Sequence, residues 1–127
     1  MTNFPDIETG LITLFEATFT DVVADTVVGD DLDALLADGK RVIRIIKRGG
    51  PDDDVTEYSR VDIDVFATTR NAAFDLARDI RSALRPRVRA GSATIDTVRT
   101  DASPHKVPWD NADIDRVLAS YQISTRR

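Results

Sequence analysis

The sequence predicts an α+β fold: a mainly antiparallel sheet of four or five strands with two amphipathic helices packed on one of its faces. Three observations carry this. Residues 60–67 alternate apolar and polar side chains, residues 68–85 switch to a three-to-four residue rhythm, and further β-branched runs flank them on both sides. The 127 residues form a single domain (1–127) with no linker, repeat or low-complexity tract, and 42% hydrophobic against 31% charged residues is enough to build a core.

In chain order, Pro5, Asp6 and Glu8 have the chemistry of a helix start. Ile7, Leu11, Leu14, Phe15 and Thr18 continue at helical spacing, predicting a first helix over 6–18 that Gly10 weakens. "TDVVADTVVGD" is rich in β-branched residues and ends in a turn signal, as a first strand does. "DDLDALLADG" fits either a short helix capped by Asp30 or Asp31 and stopped by Gly39, or a structured loop. "RVIRIIKR" carries Val42 and Ile46 on one face and Ile43 and Ile45 on the other, the pattern of a central strand.

The turn "GGPDDD" then connects to a half-buried strand. There Val61, Ile63, Val65 and Ala67 point inward while Arg60, Asp62, Asp64 and Thr68 face water. Thr68 or Thr69 caps the second helix, whose stripe is Ala73, Leu76, Ala77, Ile80, Ala83 and Leu84 and which Pro86 ends. "SATIDTVRTD" and "DRVLASYQISTRR" supply two last strands, joined by the irregular "ASPHKVPWDNAD". The predicted order is α-β-(α)-β-β-α-β-β.

Composition narrows the function classes. Without cysteine there are neither disulfides nor thiolate metal sites. The first apolar stretch has no Lys or Arg ahead of it and is broken by Asp6, Glu8 and Glu16, so it reads as neither a secretory leader nor a membrane span, and a soluble intracellular protein is expected. Charge is divided along the chain. Residues 1–39 hold nine acids and no Lys or Arg, a net −9; the rest holds all 17 bases and 13 of the 22 acids, a net +4. The acidic total opposes general phosphate binding, whereas the division suits an acidic face meeting a basic face of a second copy.

The search for chemistry returns little. His105 is the one histidine, with no nucleophile or orienting partner in a recognisable pattern, and it reads as a loop residue. "GDDLD" and "PDDDV" lack the spacing of a calcium loop and read as solvated turns. "RPRVR", with Arg78, Arg81 and Arg85, is the most basic region; it is either a phosphate patch or a solvated helix end, and no aromatic is interleaved to stack a base. Trp109, the one tryptophan, is either local packing or an interface anchor. No cofactor, metal or catalytic group is expected.

"RVIRIIKRGGPDDDVTEYSRVDIDVFATTRNAAFDLARDIRSAL" and "IDTVRTDASPHKVPWDNADIDRVLASYQISTRR" together resemble the tail terminator proteins of long-tailed bacteriophages, also called tail-completion or head-to-tail joining proteins, in the versions of actinobacterial phages. The likeness covers residues 40–127 and extends to the N-terminal helix and first strand in outline. It rests on the hairpin with its Gly-Gly-Pro-Asp turn, "DVFA" running into "AAFDLA", the "PHKVPW" segment and the closing "ASYQISTRR".

The resemblance implies a non-enzymatic virion protein of the tail or neck, assembled in the host cytoplasm. It would form a homo-hexameric ring that caps the tail tube, meeting the major tail tube protein on one side and the head–tail connector or neck proteins on the other. DNA passes through the lumen without sequence-specific binding, and no membrane is involved. A head-to-tail ring needs two different patches on each copy; Asp30, Asp31 and Asp33 are expected in one, Arg78, Arg81 and Arg85 in the other, with Trp109 as a further interface candidate. The alternative is a connector-side neck or adaptor protein that contacts the portal assembly and DNA, and a third reading is a small nucleic-acid-binding regulator.

Overall fold

The computed structural model describes residues 6–51 and 56–126. Pro5 and the acids Asp52, Asp53 and Asp54 of the turn lie outside these residues. The elements are α1 (Ile7–Thr18), β1 (Val22–Asp25), α2 (Leu32–Ala37), β2 (Arg41–Gly49), β3 (Thr56–Ala67), α3 (Arg70–Ala83), β4 (Arg89–Ala90), β5 (Ala93–Val107) and β6 (Asp115–Arg126). They form one six-stranded sheet in the order β1-β2-β3-β6-β5-β4. Only β1 and β2 pair in parallel; every other pairing is antiparallel. The expected class is present, but the strand count is six because the two-residue β4 is too short to leave a period in the sequence.

Local chemistry accounts for the helices. Asp6 caps α1 by accepting from the backbone N–H of Glu8 at 3.0 Å and of Thr9 at 3.4 Å, and from the Thr9 hydroxyl at 2.8 Å. Thr69 caps α3 by accepting from the Ala72 N–H at 3.2 Å. Gly10, which weakens α1 as a helix former, has a packing reason. A Cβ there would stand 2.2 Å from the Ala90 carbonyl oxygen, so the glycine lets α1 sit directly on β4.

The main core lies between the sheet and the pair α1 and α3. Ile7, Leu11 and Phe15 of α1 and Leu76 and Ile80 of α3 meet Ile43, Ile45, Ile63, Val65, Val117, Tyr121 and Ile123 from the central strands. Fully burying such a side chain is worth about 1.5–3 kcal/mol, so this layer dominates stability.

Two expectations are corrected here. The sheet's second face is not left wholly to water. On it α2 packs Leu32 and Leu36 against Val42, Phe66 and Ile114, with Val28, Leu35 and Trp109 at the margin. Consequently Asp64, expected on a wet face, is only 2% exposed. Second, the "ASPHKV" part of the expected loop is strand, because β5 runs to Val107 alongside β6 and His105 lies on it. Pro104 misled the reading. It falls in a register irregularity between Ala102 and His105 on a strand whose outer side is unpaired there, which is where a strand admits proline. No helix among the described residues is long and apolar enough to cross a membrane.

Candidate assembly interface

Asp30, Asp31 and Asp33 lie at and just before the start of α2. Leu32 and Leu36 are four apart, so they share the face turned to the sheet. Asp30, Asp31 and Asp33 are thereby left exposed. Asp31 occupies the capping position without using its side chain as a cap, so its carboxylate faces solvent. Gly39, at φ 82°, ends the helix while its N–H donates to the Leu36 carbonyl at 3.1 Å and Lys40 N–H donates to that of Leu35 at 3.0 Å.

The three arginines named for the opposing patch differ in their surroundings. Arg78 is exposed and paired with Asp75 one turn earlier on α3. Arg81 is drawn inward: Nε donates to the Thr100 hydroxyl at 3.1 Å, Nη1 to the Leu84 carbonyl at 2.9 Å, and the guanidinium lies 5.9 Å from the centre of the Tyr121 ring. Arg85, just past the helix, is exposed and has no ion pair among the described residues. Because α2 and α3 pack on opposite faces of the sheet, acidic and basic groups are separated by its thickness. Arg87 and Arg89 belong to the same basic "RPRVR" stretch but were not among the expected interface residues; they are exposed beside Arg85.

Trp109 stands half-buried over a polar network that sequence reasoning missed. Its ring meets Phe66 edge to face, centroids 4.7 Å apart. The guanidinium groups of Arg44 and Arg116 lie 5.9 and 5.6 Å from its centre. Both arginines bind Asp64, Arg44 at 2.8 Å and Arg116 at 2.7 Å. Next along the same face, Asp62 accepts from Arg48 at 2.9 Å and from the Ser120 hydroxyl at 2.7 Å. Burial pushes the Asp62 carboxyl up, and the Ser120 and Arg48 hydrogen bonds outweigh this to hold it below the ordinary carboxylate value. The legible signal was Asp62 and Asp64 at alternate positions of β3; in the register Arg44 stands directly opposite Asp64, while Asp62 faces Ile46 and is reached by Arg48 from further along β2.

Among the described residues no converging reactive set is seen. His105 is exposed, with Nδ1 2.9 Å from the Ser103 carbonyl oxygen. Among the described residues no three His, Asp or Glu side chains gather to hold a metal ion. A groove of about 250 Å³ beside β1 and α2 is lined by Val23, Val27, Val28, Leu35, Asp25 and Asp31.

No family model matches this sequence, and no curated protein matches it either. Among solved structures, the chain shares its fold with a chain from the virion of a native gene transfer agent particle. The superposition has a TM-score of 0.57 at 14% identity and covers 90% of this chain and 84% of the other.

Proposed function

We propose that this protein is an architectural component of a phage-type virion, a tail terminator whose copies close into a ring on the end of the tail tube, stop its polymerisation and offer the head-attachment surface. The observation that carries the reading is the fold shared with a chain of a gene transfer agent virion along nine-tenths of this sequence. The terminator role, the hexameric ring and the partners come from the resemblance in the sequence, not from that fold. The separation of acidic α2 from the basic end of α3 across the sheet supports it, since a ring is built from contacts between two different patches of each copy.

The test is electron microscopy of terminator-free tails before and after adding the purified protein. The expected result is rings on tube ends and an end to overlong tubes. Tubes that stay uncapped, with the protein recovered instead on portal complexes, would establish the connector-side neck reading in its place.

A further inference from the structure

The sheet ends in two flanks of opposite charge. On the β1 flank, residues 20–39 carry Asp21, Asp25, Asp30, Asp31, Asp33 and Asp38 and no Lys or Arg. Asp21 is paired with Arg41, whereas the other five are exposed and in no ion pair among the described residues. Beside them Val27 is 69% exposed, on the rim of the groove between β1 and α2. Such an apolar spot ringed by uncompensated acids is a surface suited to a cationic partner.

On the β4 flank, residues 85–107 carry Arg85, Arg87, Arg89, Arg99 and Lys106 against Asp96 and Asp101. Both of these acids are engaged within the protomer, Asp96 by Arg126 at 3.3 Å and Asp101 by Arg99 and, at 3.7 Å, Arg60. Arg85, Arg87 and Arg89 are exposed and in no ion pair among the described residues.

The backbone under these arginines supplies a second, independent observation. Val88 N–H donates to the Arg85 carbonyl at 3.3 Å, closing a turn with Pro86 and Arg87 at its centre. Arg87 has φ 72°, the one positive φ outside glycine among the described residues. A turn of this kind favours glycine there, and any L side chain is disfavoured. Arg87 N–H donates to the Ile95 carbonyl at 2.7 Å and Ile95 N–H to that of Val88 at 2.9 Å, so β5 holds the turn in place. A glycine would serve the backbone better, and the arginine is therefore explained by what its side chain does.

We propose that Arg85, Arg87 and Arg89 of one copy dock on the acidic β1–α2 flank of a second copy of this chain, around Asp25, Asp30, Asp31, Asp33 and Val27. Because β1 and β4 are the outermost strands at opposite ends of the sheet, each copy has one flank for each of two neighbours, and the contact repeats head to tail. The inference rests on the ring reading and names its mating surfaces. Backbone pairing between the strands is not required, since Glu16 already accepts the Ala24 N–H of β1 at 3.2 Å.

Sedimentation of the full chain tests this. The native protein self-associates at low ionic strength, and the association weakens about tenfold or more when added salt shortens the Debye length to a few ångströms. Arg87→Gly folds and gains roughly 3 °C in thermal midpoint while losing association about tenfold; a purely structural role for Arg87 moves the midpoint without moving the association. Arg85→Ala with Arg89→Ala, and Asp31→Ala with Asp33→Ala, are each monomeric alone and form only 1:1 dimers when mixed, since each variant keeps one competent flank. A native chain that stays monomeric at low salt, variants that associate like the native chain, or arginines that retain duplex DNA in a gel shift rather than a second copy, overturn the proposal. If the flanks mate as described and the protein does not cap tail tubes, the terminator reading fails alone. If the charge variants cap tubes normally, the docking contact fails alone.

Discussion

Replacing Asp64 by alanine isolates the buried ion-pair network on the sheet's second face. The carboxylate side chain is 3% exposed and binds Arg44 at 2.8 Å and Arg116 at 2.7 Å, whose side chains are 20% and 18% exposed. Removing it leaves two guanidinium groups side by side in a half-dry site without their counter-charge. Removing one partner of a buried ion pair costs about 3–5 kcal/mol. Both arginines retain the Trp109 ring and some contact with water, which places the expected loss near the lower end, about 3 kcal/mol. A domain of this size has about 5–15 kcal/mol in total, so the variant is severely weakened.

Urea unfolding measures it, with a midpoint shift of about 1.5 M expected at a typical slope near 2 kcal/mol per molar. Trp109 is the only tryptophan and packs on the network, so its fluorescence reports the same site that far-UV dichroism sees globally. Asp62→Ala is the control. Its main cationic partner Arg48 is 58% exposed, and exposed pairs are worth about 0–1 kcal/mol. A loss below about 1 kcal/mol for Asp64→Ala, or equal losses for the two variants, would refute the reasoning that burial sets the difference.

Three further outcomes follow from the same geometry. Gly10→Ala loses about 2 kcal/mol in thermal unfolding although alanine favours a helix by about 1 kcal/mol, because its Cβ would meet the Ala90 carbonyl at 2.2 Å; a stabilised variant contradicts the packing of α1 on β4. Tyr121→Phe gains about 1 kcal/mol in denaturant unfolding, since the buried hydroxyl has no hydrogen-bond partner among the described residues and burial pushes the phenol pKa up; a loss of that size instead would mean that the hydroxyl is satisfied. In acid, Asp6 is held below the ordinary aspartate value of 3.8 chiefly by the Thr9 hydroxyl and Asp21 chiefly by Arg41, as Asp62 is by Ser120 and Arg48 against burial. The folded state then binds protons less readily than the unfolded one, so these contributions are complete above 3.8 and vanish as pH falls through the lowered values. Unfolding free energy measured against pH is expected to fall below about 4, less steeply in Asp62→Asn.

How far the fold can be read from the sequence depends on whether one periodic face sufficed to define an element. The Val61, Ile63, Val65, Ala67 alternation and the Ala73, Leu76, Ala77, Ile80 stripe are local patterns, and the structure joins them through a single layer of contacts. β4 has no such pattern. Its two residues exist as a strand only because β5 returns past them after the turn at Gly91, which has φ 63°. Pro104 and Pro108 punctuate 102–113 as a loop, yet a strand unpaired on its outer side tolerates the first, and β6 supplies the hydrogen bonds that extend β5 to Val107.

Of the interface candidates, exposure was legible at Asp30, Asp31 and Asp33, where helical spacing turns Leu32 and Leu36 inward. For Arg81 it was not, because a guanidinium reaches several ångströms and its partner is set by tertiary neighbours. Arg81 meets Thr100 and Tyr121 from other strands, while Arg87 and Arg89 meet none of the described acids. The division of charge along the chain becomes a division in space for a topological reason. The acidic N-terminal third supplies the outermost strand at one end of the sheet, and the chain must cross β2, β3 and β6 to reach the other end, where the free arginines lie. A sheet wound in a different order from the same elements would have folded the two charges onto each other within one copy, leaving nothing for a neighbour to neutralise.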